Sequence, residues 1–330
     1  MMDWTDRHCR YFHRLLSRHA LLYTEMVTTG ALIHGDVPRH LRYNVQEHPL
    51  ALQLGGSEPA DLAQCAKLGE AWGYDEVNLN CGCPSERVQR GAFGACLMAE
   101  PQLVSDCVKA MADVVSVPVT VKHRIGIDKA ESYEFVRDFV GTVSEAGCNT
   151  FIVHARNAWL KGLSPKANRE VPPLRYAMVH QLKKEFPHLT IAINGGITTT
   201  EQVVEQLQYV DGVMLGREAY HNPWWLSEWD AAFYGDAGLN ASPVATRESV
   251  EAQMCDYMAR EAATHGTPWS NIARHMLGLR HGLPGSRRWR QVWSDHKLKA
   301  MNPHDVMALA HRPAQDAVFE GKVLHSASSF

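Results

Sequence analysis

The sequence lacks any apolar run long enough to cross a membrane. No stretch of the chain approaches the roughly 18 to 20 consecutive apolar residues that a membrane-spanning helix requires. The first residues are polar and charged, unlike the apolar core of a signal peptide. We therefore expect a cytoplasmic protein that makes no membrane contact.

The dense cysteine spacing of a disulfide scaffold and a strong net charge are missing as well. Eight cysteines are scattered over 330 residues, which excludes the framework of a small disulfide-stabilised domain. The net charge is only -3, so nucleic acid could bind only through a local basic patch. The length allows one large domain and a smaller one, and the hydrophobic fraction is that of an ordinary folded protein.

What the sequence does contain is an alternation of strand and helix patterns. Seven runs rich in β-branched residues are separated by segments of helical periodicity: LLYTEMVT, LALQLGG, EVNLNCG, VPVTVKHRIG, TFIVHAR, LTIAINGGI and GVMLGREA. This alternation predicts a parallel α/β sheet, and the closed form of that sheet, the (β/α)8 TIM barrel, needs eight strands. The count is one short, and we expect the missing first strand to precede Met1.

The alternation ends after Trp224, where helical segments follow one another with no strand pattern between them. We predict a barrel domain over residues 1–235, a smaller all-helical domain over 243–315 and a loose tail over 316–330.

Basic residues cluster in the second half of the helical region. Seven lie between residues 274 and 299, opposed by Asp295 alone: Arg274, Arg280, Arg287, Arg288, Arg290, Lys297 and Lys299. The patch predicts nucleic-acid binding, with a solvated helix face as the alternative. Trp289 and Trp293 lie within the patch, and we expect them to belong to the core rather than to stack on bases.

Polar side chains stand at the ends of the predicted strands: Gln53, Asn80, Lys122, His154, Asn194 and Arg217. Active sites of barrel enzymes lie at the C-terminal ends of the strands, so we expect these side chains to converge on one rim. The glycines of INGGI and LGR, with Arg217, fit a phosphate site after the last two strands; a pair of tight turns is the alternative. A phosphate there with Lys122 nearby suits FMN, because an ammonium favours the anionic reduced flavin.

Two cysteines one residue apart, Cys81 and Cys83, raise the question of a metal, a disulfide or a reactive thiol. Zinc is disfavoured because no second Cys/His pair has ligand spacing. A disulfide between them would close a strained ring in a reducing compartment. One reactive thiol with a bystander remains, and no metal is predicted.

Nine segments, in order from Met1 to about Arg290, resemble the tRNA-dihydrouridine synthases of the A type: MMDWTDRHCR, YTEMVTTGA, ALQLGGS, NLNCGCPSERVQRGAFGACLM, VTVKHRIGID, HARNAWLKGLSPKANRE, INGGI, DGVMLGREAY and RHMLGLRHGLPGSRRWR. The resemblance implies an FMN enzyme that uses NADPH to reduce uridine to 5,6-dihydrouridine at positions 20 and 20a of the tRNA D-loop. It also implies a barrel followed by a helical tRNA-binding domain.

The resemblance also assigns residues. Its catalytic cysteine falls on Cys83, and Met1 matches the methionine of the family's opening Ala-Pro-Met flavin contact. The other flavin contacts fall on Gln53, Lys122, His154, Asn194, Gly195, Gly196, Gly216 and Arg217.

Reducing uracil requires a hydride at C6 and a proton at C5. An ordinary cysteine thiol, with a pKa of about 8.5, is largely protonated at neutral pH and can supply the proton. We assign this role to Cys83, which the resemblance favours over Cys81, and we expect Cys81 to be a packing residue. Asn80 should face the uracil or the cysteine loop, and His154 should contact either flavin or uracil.

Four basic residues are predicted to bind tRNA phosphates. Arg287 and Arg290 share a helix face, and Lys166 and Arg169 lie on the barrel rim, so the two pairs could clamp an RNA arm. The uridine must leave its stack to reach a flavin in a barrel mouth. No protein partner is predicted.

Two other functions fit parts of the sequence. One is an FMN barrel that reduces a free pyrimidine or small enone, resembling dihydroorotate dehydrogenases. The other is a tRNA-binding protein without catalytic activity.

Overall fold

The computed structural model describes residues 1–85, 88, 91–235 and 245–312. Seven strands form one sheet: β1 Leu22–Thr28, β2 Leu50–Gly55, β3 Glu76–Cys81, β4 Val119–Arg124, β5 Thr150–His154, β6 Thr190–Asn194 and β7 Gly212–Met214. They lie side by side in chain order, and each pairs in parallel with the next. All seven strands predicted from the sequence are therefore confirmed.

Helices connect the strands, as parallel pairing requires. The α-helices before and between the strands are α1 Arg7–Arg14, α2 Thr29–His34, α3 Val37–Leu41, α4 Pro59–Ala71, α5 Pro101–Ala112, α6 Tyr133–Ser144, α7 Tyr176–Glu185 and α8 Thr200–Gln206. At least one lies in every connection from β1 to β7. The predicted α/β fold of the TIM-barrel type is confirmed, with β1 and β7 at the two ends of the strand order within the described residues.

Burial of both faces of the sheet explains why the strands are rich in apolar residues. Every residue of β2 is buried, as expected for a parallel sheet whose two faces are both covered. α6 shows how a helix covers it: Ser132 caps its first turn by accepting a hydrogen bond from the Phe135 amide, and the helix buries Val136, Phe139, Val140 and Val143. This spacing places all four side chains on one helix face.

The chain divides into two compact units. Met1–Arg10 and Leu21–Glu218 form the first unit, whereas Tyr11–Ala20 and the chain from Ala219 onward form the second. This division comes earlier than the predicted barrel boundary at residue 235, and the limits of the functional domains stay a prediction. The predicted linker near residue 243 and tail over 316–330 lie outside the described residues.

The second unit is helical where it is described: α9 Arg217–His221, which begins in the first unit, α10 Trp229–Phe233, α11 Arg247–His265, α12 Trp269–Ala273, α13 Ser286–Trp293 and α14 Pro303–His311. Short 3-10 helices throughout the chain cover Val45–Glu47, Gly94–Ala99, Ala167–Arg169, Pro223–Glu228 and His296–Leu298. None of the described helices has both the length and the apolar character needed to cross a membrane.

A buried carboxylate organises the core of the second unit. Glu251 accepts hydrogen bonds from the indole nitrogens of Trp289, at 2.6 Å, and Trp293, at 3.0 Å. His311 Nε2 lies 2.8 Å from its other oxygen. Both tryptophans are buried, so they belong to the core, as the sequence predicts.

Candidate active site

Five of the six predicted strand-end residues lie on consecutive strands, β2 to β6. Asn80 on β3 pairs in register with Lys122 on β4, and His154, the last residue of β5, pairs with Asn194, the last residue of β6. Because the strands are parallel, their C-terminal ends meet at one edge of the sheet. The sixth residue, Arg217, is the first residue of α9, three positions after β7 ends.

Hydrogen bonds link Gln53 and Asn80 to the loop that carries Cys83. Gln53 Nε2 donates to the Thr24 carbonyl at 3.0 Å, and Asn80 Nδ2 donates to Gln53 Oε1 at 2.6 Å. Asn80 Oδ1 accepts from the amides of Gly82 and Cys83, both at 3.0 Å. Of its two predicted orientations, Asn80 therefore faces the cysteine loop.

Cys83 is fixed by its backbone and lies partly exposed. Its carbonyl accepts from the Ala95 amide at 2.9 Å, and its Sγ lies 3.6 Å from Ser85 Oγ. Gly94 has a φ of +78°, and a side chain there would lie 2.6 Å from the Cys83 carbonyl oxygen. Glycine is thus needed at position 94 for both its conformation and its close contact.

Cys81 differs sharply from Cys83, although only one residue separates them. Cys81 ends β3 and is fully buried. Burial raises the pKa of its thiol well above the ordinary value, and the thiols of Cys107 and Cys148 add to the effect. All eight cysteines are free. A buried neutral thiol of this kind is a packing group, which supports the bystander role predicted for Cys81.

Within the described residues, the ammonium of Lys122 donates one hydrogen bond and keeps further hydrogen-bonding capacity. Its Nζ donates to Asn194 Oδ1 at 3.2 Å, and Asn194 Nδ2 donates to the Met214 carbonyl, which fixes the amide orientation. An ammonium has three hydrogens, so others can reach a ligand. Although part of the side chain is accessible, burial of the charged end lowers the pKa of Lys122 to about 8, and Arg124 adds to this effect.

His154 is buried beside the glycine pair. A side chain on Gly195 would come within 2.7 Å of the His154 ring. Burial lowers the pKa of His154 well below its ordinary value, and the charges of Arg124 and Lys122 lower it further. The imidazole is therefore neutral at neutral pH.

The predicted phosphate site consists of the backbone of two glycine-containing loops and the side chain of Arg217. Gly195 and Gly196 have φ of +121° and +72°, conformations that leave their backbone open to a close approach. The Gly195 carbonyl is held by the Tyr176 hydroxyl at 2.6 Å. A Cβ added to Gly216 would lie 3.5 Å from Met1 Sδ. Met1 therefore lies beside the loop that contains Gly216.

Arg217 pairs with Glu170, a residue that the sequence analysis did not select, and contacts the backbone of Arg169. Its Nη1 lies 2.7 Å from Glu170 Oε1, and its Nη2 donates to the Arg169 carbonyl at 3.3 Å. Both members of the ion pair are partly exposed, and such a pair contributes little stability. An anion can therefore replace Glu170 at low cost.

Arg124 is a second residue that sequence reasoning missed. It is 3% exposed, and its Nε donates to the Gly82 carbonyl at 3.1 Å while its Nη1 donates to the Asn168 carbonyl at 2.9 Å. Burial lowers its pKa to about 10, so it stays charged at neutral pH. The available signal was strand alternation, because residues two apart, such as Lys122 and Arg124, point to the same face.

The predicted tRNA contacts lie on exposed surface, except for Arg169. Lys166 is exposed and Arg169 partly buried at the 3-10 helix Ala167–Arg169. Burial lowers the pKa of Arg169, and the charge of Arg217 adds to this effect. In the second unit, Arg287 and Arg290 are both exposed on α13, whose buried face carries Trp289 and Trp293.

Comparison with known proteins identifies the family. The family model described as dihydrouridine synthase (Dus) matches residues 1–315. The chain is 61% identical to the tRNA-dihydrouridine(20/20a) synthase of Escherichia coli O6:H1 over 312 residues, 94% of this chain and 92% of that protein. It is 57% identical to the synthase of that name from Vibrio vulnificus over 318 residues, 96% of each chain.

A structural comparison agrees on the fold. A 2-naphthoyl-CoA reductase in complex with 2-naphthoyl-CoA aligns with a TM-score of 0.53 at 10% identity, covering 69% of this chain. This chain spans 47% of the length of that protein, and the likeness shows the fold alone. The family match and the identity over nearly the whole length carry the assignment: the chain belongs to the dihydrouridine synthase family.

Proposed function

We propose that this protein reduces a uridine of tRNA to 5,6-dihydrouridine, at positions 20 and 20a of the D-loop. One uridine, one NADPH and one proton give one dihydrouridine and one NADP⁺. The observation that carries the proposal is the setting of Cys83: a partly exposed thiol, held by Asn80 and Ala95 through its backbone. We place the reaction in the cytoplasm, because its substrate is tRNA.

Membership of the family implies a flavin, and the residues present fit FMN. Lys122, Asn194, His154 and Gln53 offer hydrogen-bonding groups at consecutive strand ends, and Lys122 has ammonium hydrogens to give. The amides of Gly195, Gly196 and Gly216, with Arg217 released from Glu170, would hold the phosphate, and Met1 would contact the flavin near Gly216. When bound and reduced by NADPH, this flavin supplies the hydride that C6 of uracil receives.

Cys83 acts as the general acid in this proposal. Its S–H bond breaks as the new C–H bond forms at C5, and the resulting thiolate recovers a proton from solvent. Lys122, Arg124 and Arg169 lie close enough that a charge on the Cys83 sulfur raises their pKa. These cations therefore stabilise the thiolate left after proton transfer.

The basic side chains bind the RNA. Lys166 and Arg169 contact phosphates at the rim of the first unit, and Arg287 and Arg290 contact phosphates from α13. The uridine reaches Cys83 by leaving its stack, which is easiest in a loop.

A test starts with the visible spectrum and released flavin of the purified protein. NADPH oxidation and dihydrouridine formation are then measured on an unmodified tRNA transcript, with free uracil and orotate as competing substrates. We expect bound FMN and dihydrouridine in the D-loop. Stoichiometric tRNA binding without flavin would instead support a non-catalytic tRNA-binding protein, and faster reduction of a free pyrimidine would support the small-molecule reductase.

A further inference from the structure

Trp159 is the most exposed of the nine tryptophans. It exposes 37% of its surface, and each of the others is buried or partly buried. It lies in the loop between β5 and α7. Within the described residues, its indole stacks on no other ring and lies under no cation, unlike Trp224, which lies 4.1 Å from the guanidinium of Arg247. An exposed indole offers a large, flat apolar face to a partner.

The backbone of Trp159 is fixed, so the exposure of its ring does not come from a loose loop. The fully buried Asn168 clamps it from both sides: Asn168 Oδ1 accepts from the Trp159 amide at 2.7 Å, and Asn168 Nδ2 donates to the Trp159 carbonyl at 2.9 Å. The next amide, Leu160, donates to Asp128 Oδ1 at 2.8 Å. The ring is thus presented to solvent by a rigid support.

The charge around Trp159 indicates an anionic ligand. Residues 156–170 contain four basic side chains, Arg156, Lys161, Lys166 and Arg169, and one acidic side chain, Glu170. A second carboxylate, that of Asp128, accepts from the Leu160 amide. Glu170 is paired with Arg217. Lys161 and Lys166 are exposed, and no acidic side chain pairs with either of them in the described part of the chain. An exposed indole among unpaired cations suits a partner that has both flat rings and negative charge, which is the chemistry of nucleic acid.

The loop is also held in register with the cysteine loop. Arg124 donates to the Asn168 carbonyl and to the Gly82 carbonyl, at 2.9 and 3.1 Å. One buried guanidinium therefore connects the residue that clamps Trp159 to the residue before Cys83. These two hydrogen bonds of Arg124 fix the loop of Trp159 relative to the loop of Cys83. A ligand stacked on Trp159 would therefore have a fixed position relative to the Cys83 thiol.

We propose that Trp159 stacks on an unpaired base of the tRNA substrate and helps to place the uridine at Cys83. The inference rests on the proposed function, and it adds a stacking contact to the phosphate contacts of Lys166 and Arg169. A stacked ring tolerates any base, so this contact contributes affinity and register rather than sequence selection.

The test compares Trp159→Ala and Trp159→Phe with Val171→Ala, an exposed apolar control at 66% exposure in the same loop. The probe is an unmodified full-length tRNA transcript, and affinity is measured across a salt series. We expect Trp159→Ala to weaken binding roughly ten-fold, since stacking on aromatic side chains is commonly of this size. The slope of log Kd against log salt should stay unchanged, whereas Lys166→Ala should lower it by about one.

Trp159→Phe should recover most of the lost affinity, and Val171→Ala should bind as the wild type does. Melting temperature and flavin content, unchanged in all three variants, would show that they fold. Wild-type affinity in Trp159→Ala, equal losses in the Ala and Phe variants, or self-association of the wild type that Trp159→Ala abolishes would each overturn the inference. If the wild type neither binds tRNA nor forms dihydrouridine, the proposed function itself fails.

Discussion

At the scale of single residues, two cysteines one residue apart have opposite environments. Cys81 closes β3 and is fully buried, whereas Cys83 lies beyond the strand, where Asn80 holds its amide and Ala95 its carbonyl. The chain separates a buried thiol from a partly exposed one by leaving the sheet between them. In the proposed reaction, proton transfer to C5 of uracil therefore depends on the Cys83 thiol alone.

Replacing each cysteine tests this division. We expect Cys83→Ala to keep its flavin and its NADPH oxidation while dihydrouridine formation falls by about 10²-fold or more, the usual contribution of a general acid. Cys81→Val, the matched control, should retain activity because it replaces one buried apolar side chain with another. Dihydrouridine is measured on tRNA in single-turnover reactions, and equal losses in both variants would refute the assignment.

The charge of Lys122 should make flavin affinity depend on pH. Burial brings the pKa of Lys122 to about 8, so raising the pH from 7 to 9 removes a positive charge from the strand ends where we propose that FMN binds. We expect FMN to bind the apoprotein more weakly across this range. Lys122→Met should bind weakly at both pH values, whereas Lys166→Met, an exposed control, should keep the wild-type dependence. Fluorescence titration of FMN measures both, and an unchanged pH dependence in Lys122→Met would contradict the idea.

At the scale of elements, the loop between β5 and α7 depends on one buried amide. Asn168→Ala would leave the amide and the carbonyl of Trp159 without their partner. We expect a loss of about 1 to 3 kcal/mol in unfolding free energy, the usual cost of unsatisfied buried groups, and weaker tRNA binding with flavin retained. Urea unfolding and tRNA titration provide the measurements. Val171→Ala, an exposed change in the same loop, should have little effect on either; a similar loss there would argue against the role of Asn168.

The helix α13 should contribute through its charge alone. Arg287 and Arg290 are exposed, while the tryptophans of the helix are bound to Glu251 in the core. Reversing both charges with Arg287→Glu and Arg290→Glu should weaken tRNA binding and reduce its salt dependence, with the flavin spectrum intact. Lys184→Glu, an exposed charge reversal on α7, is the control. Unchanged tRNA binding in the double variant would exclude this helix from the RNA contact.

At the scale of the whole molecule, buried histidines should make stability sensitive to acid. Burial lowers the pKa of His13 and His123 to about 4 and that of His154 well below its ordinary value. Below pH 6.5 the unfolded chain binds protons that the folded chain does not, so each histidine lowers stability as pH falls, by up to about 1.4 kcal/mol per pH unit.

We therefore expect the unfolding free energy to decrease from pH 7 to pH 5. The Nε2 of His123 is buried without a hydrogen-bond partner in the described residues, so His123→Leu should reduce that decrease by about 2 kcal/mol. Urea unfolding at the two pH values gives the comparison. An equal decrease in the variant would mean that other groups cause the acid sensitivity.

The sequence predicted the strands and their polar ends well. Parallel strands covered on both faces are short apolar runs, and β2, buried throughout, is an example. Polar groups such as Lys122 and Asn194 stand out because they interrupt these runs where the strands end. The structure brings these two into contact, while their roles stay a prediction.

The sequence by itself determined the α/β alternation, the helical character of the second unit, the candidate thiol and the family resemblance. Only the tertiary structure decided which distant groups meet: Arg124 with Gly82, Arg217 with Glu170, and Glu251 with two tryptophans. It also assigned Tyr11–Ala20 to the second unit. The physical reason is the distance along the chain over which each kind of interaction acts. Periodicity and turn chemistry act over a few residues, whereas these contacts join residues about 40 positions apart, whose meeting depends on how whole elements pack.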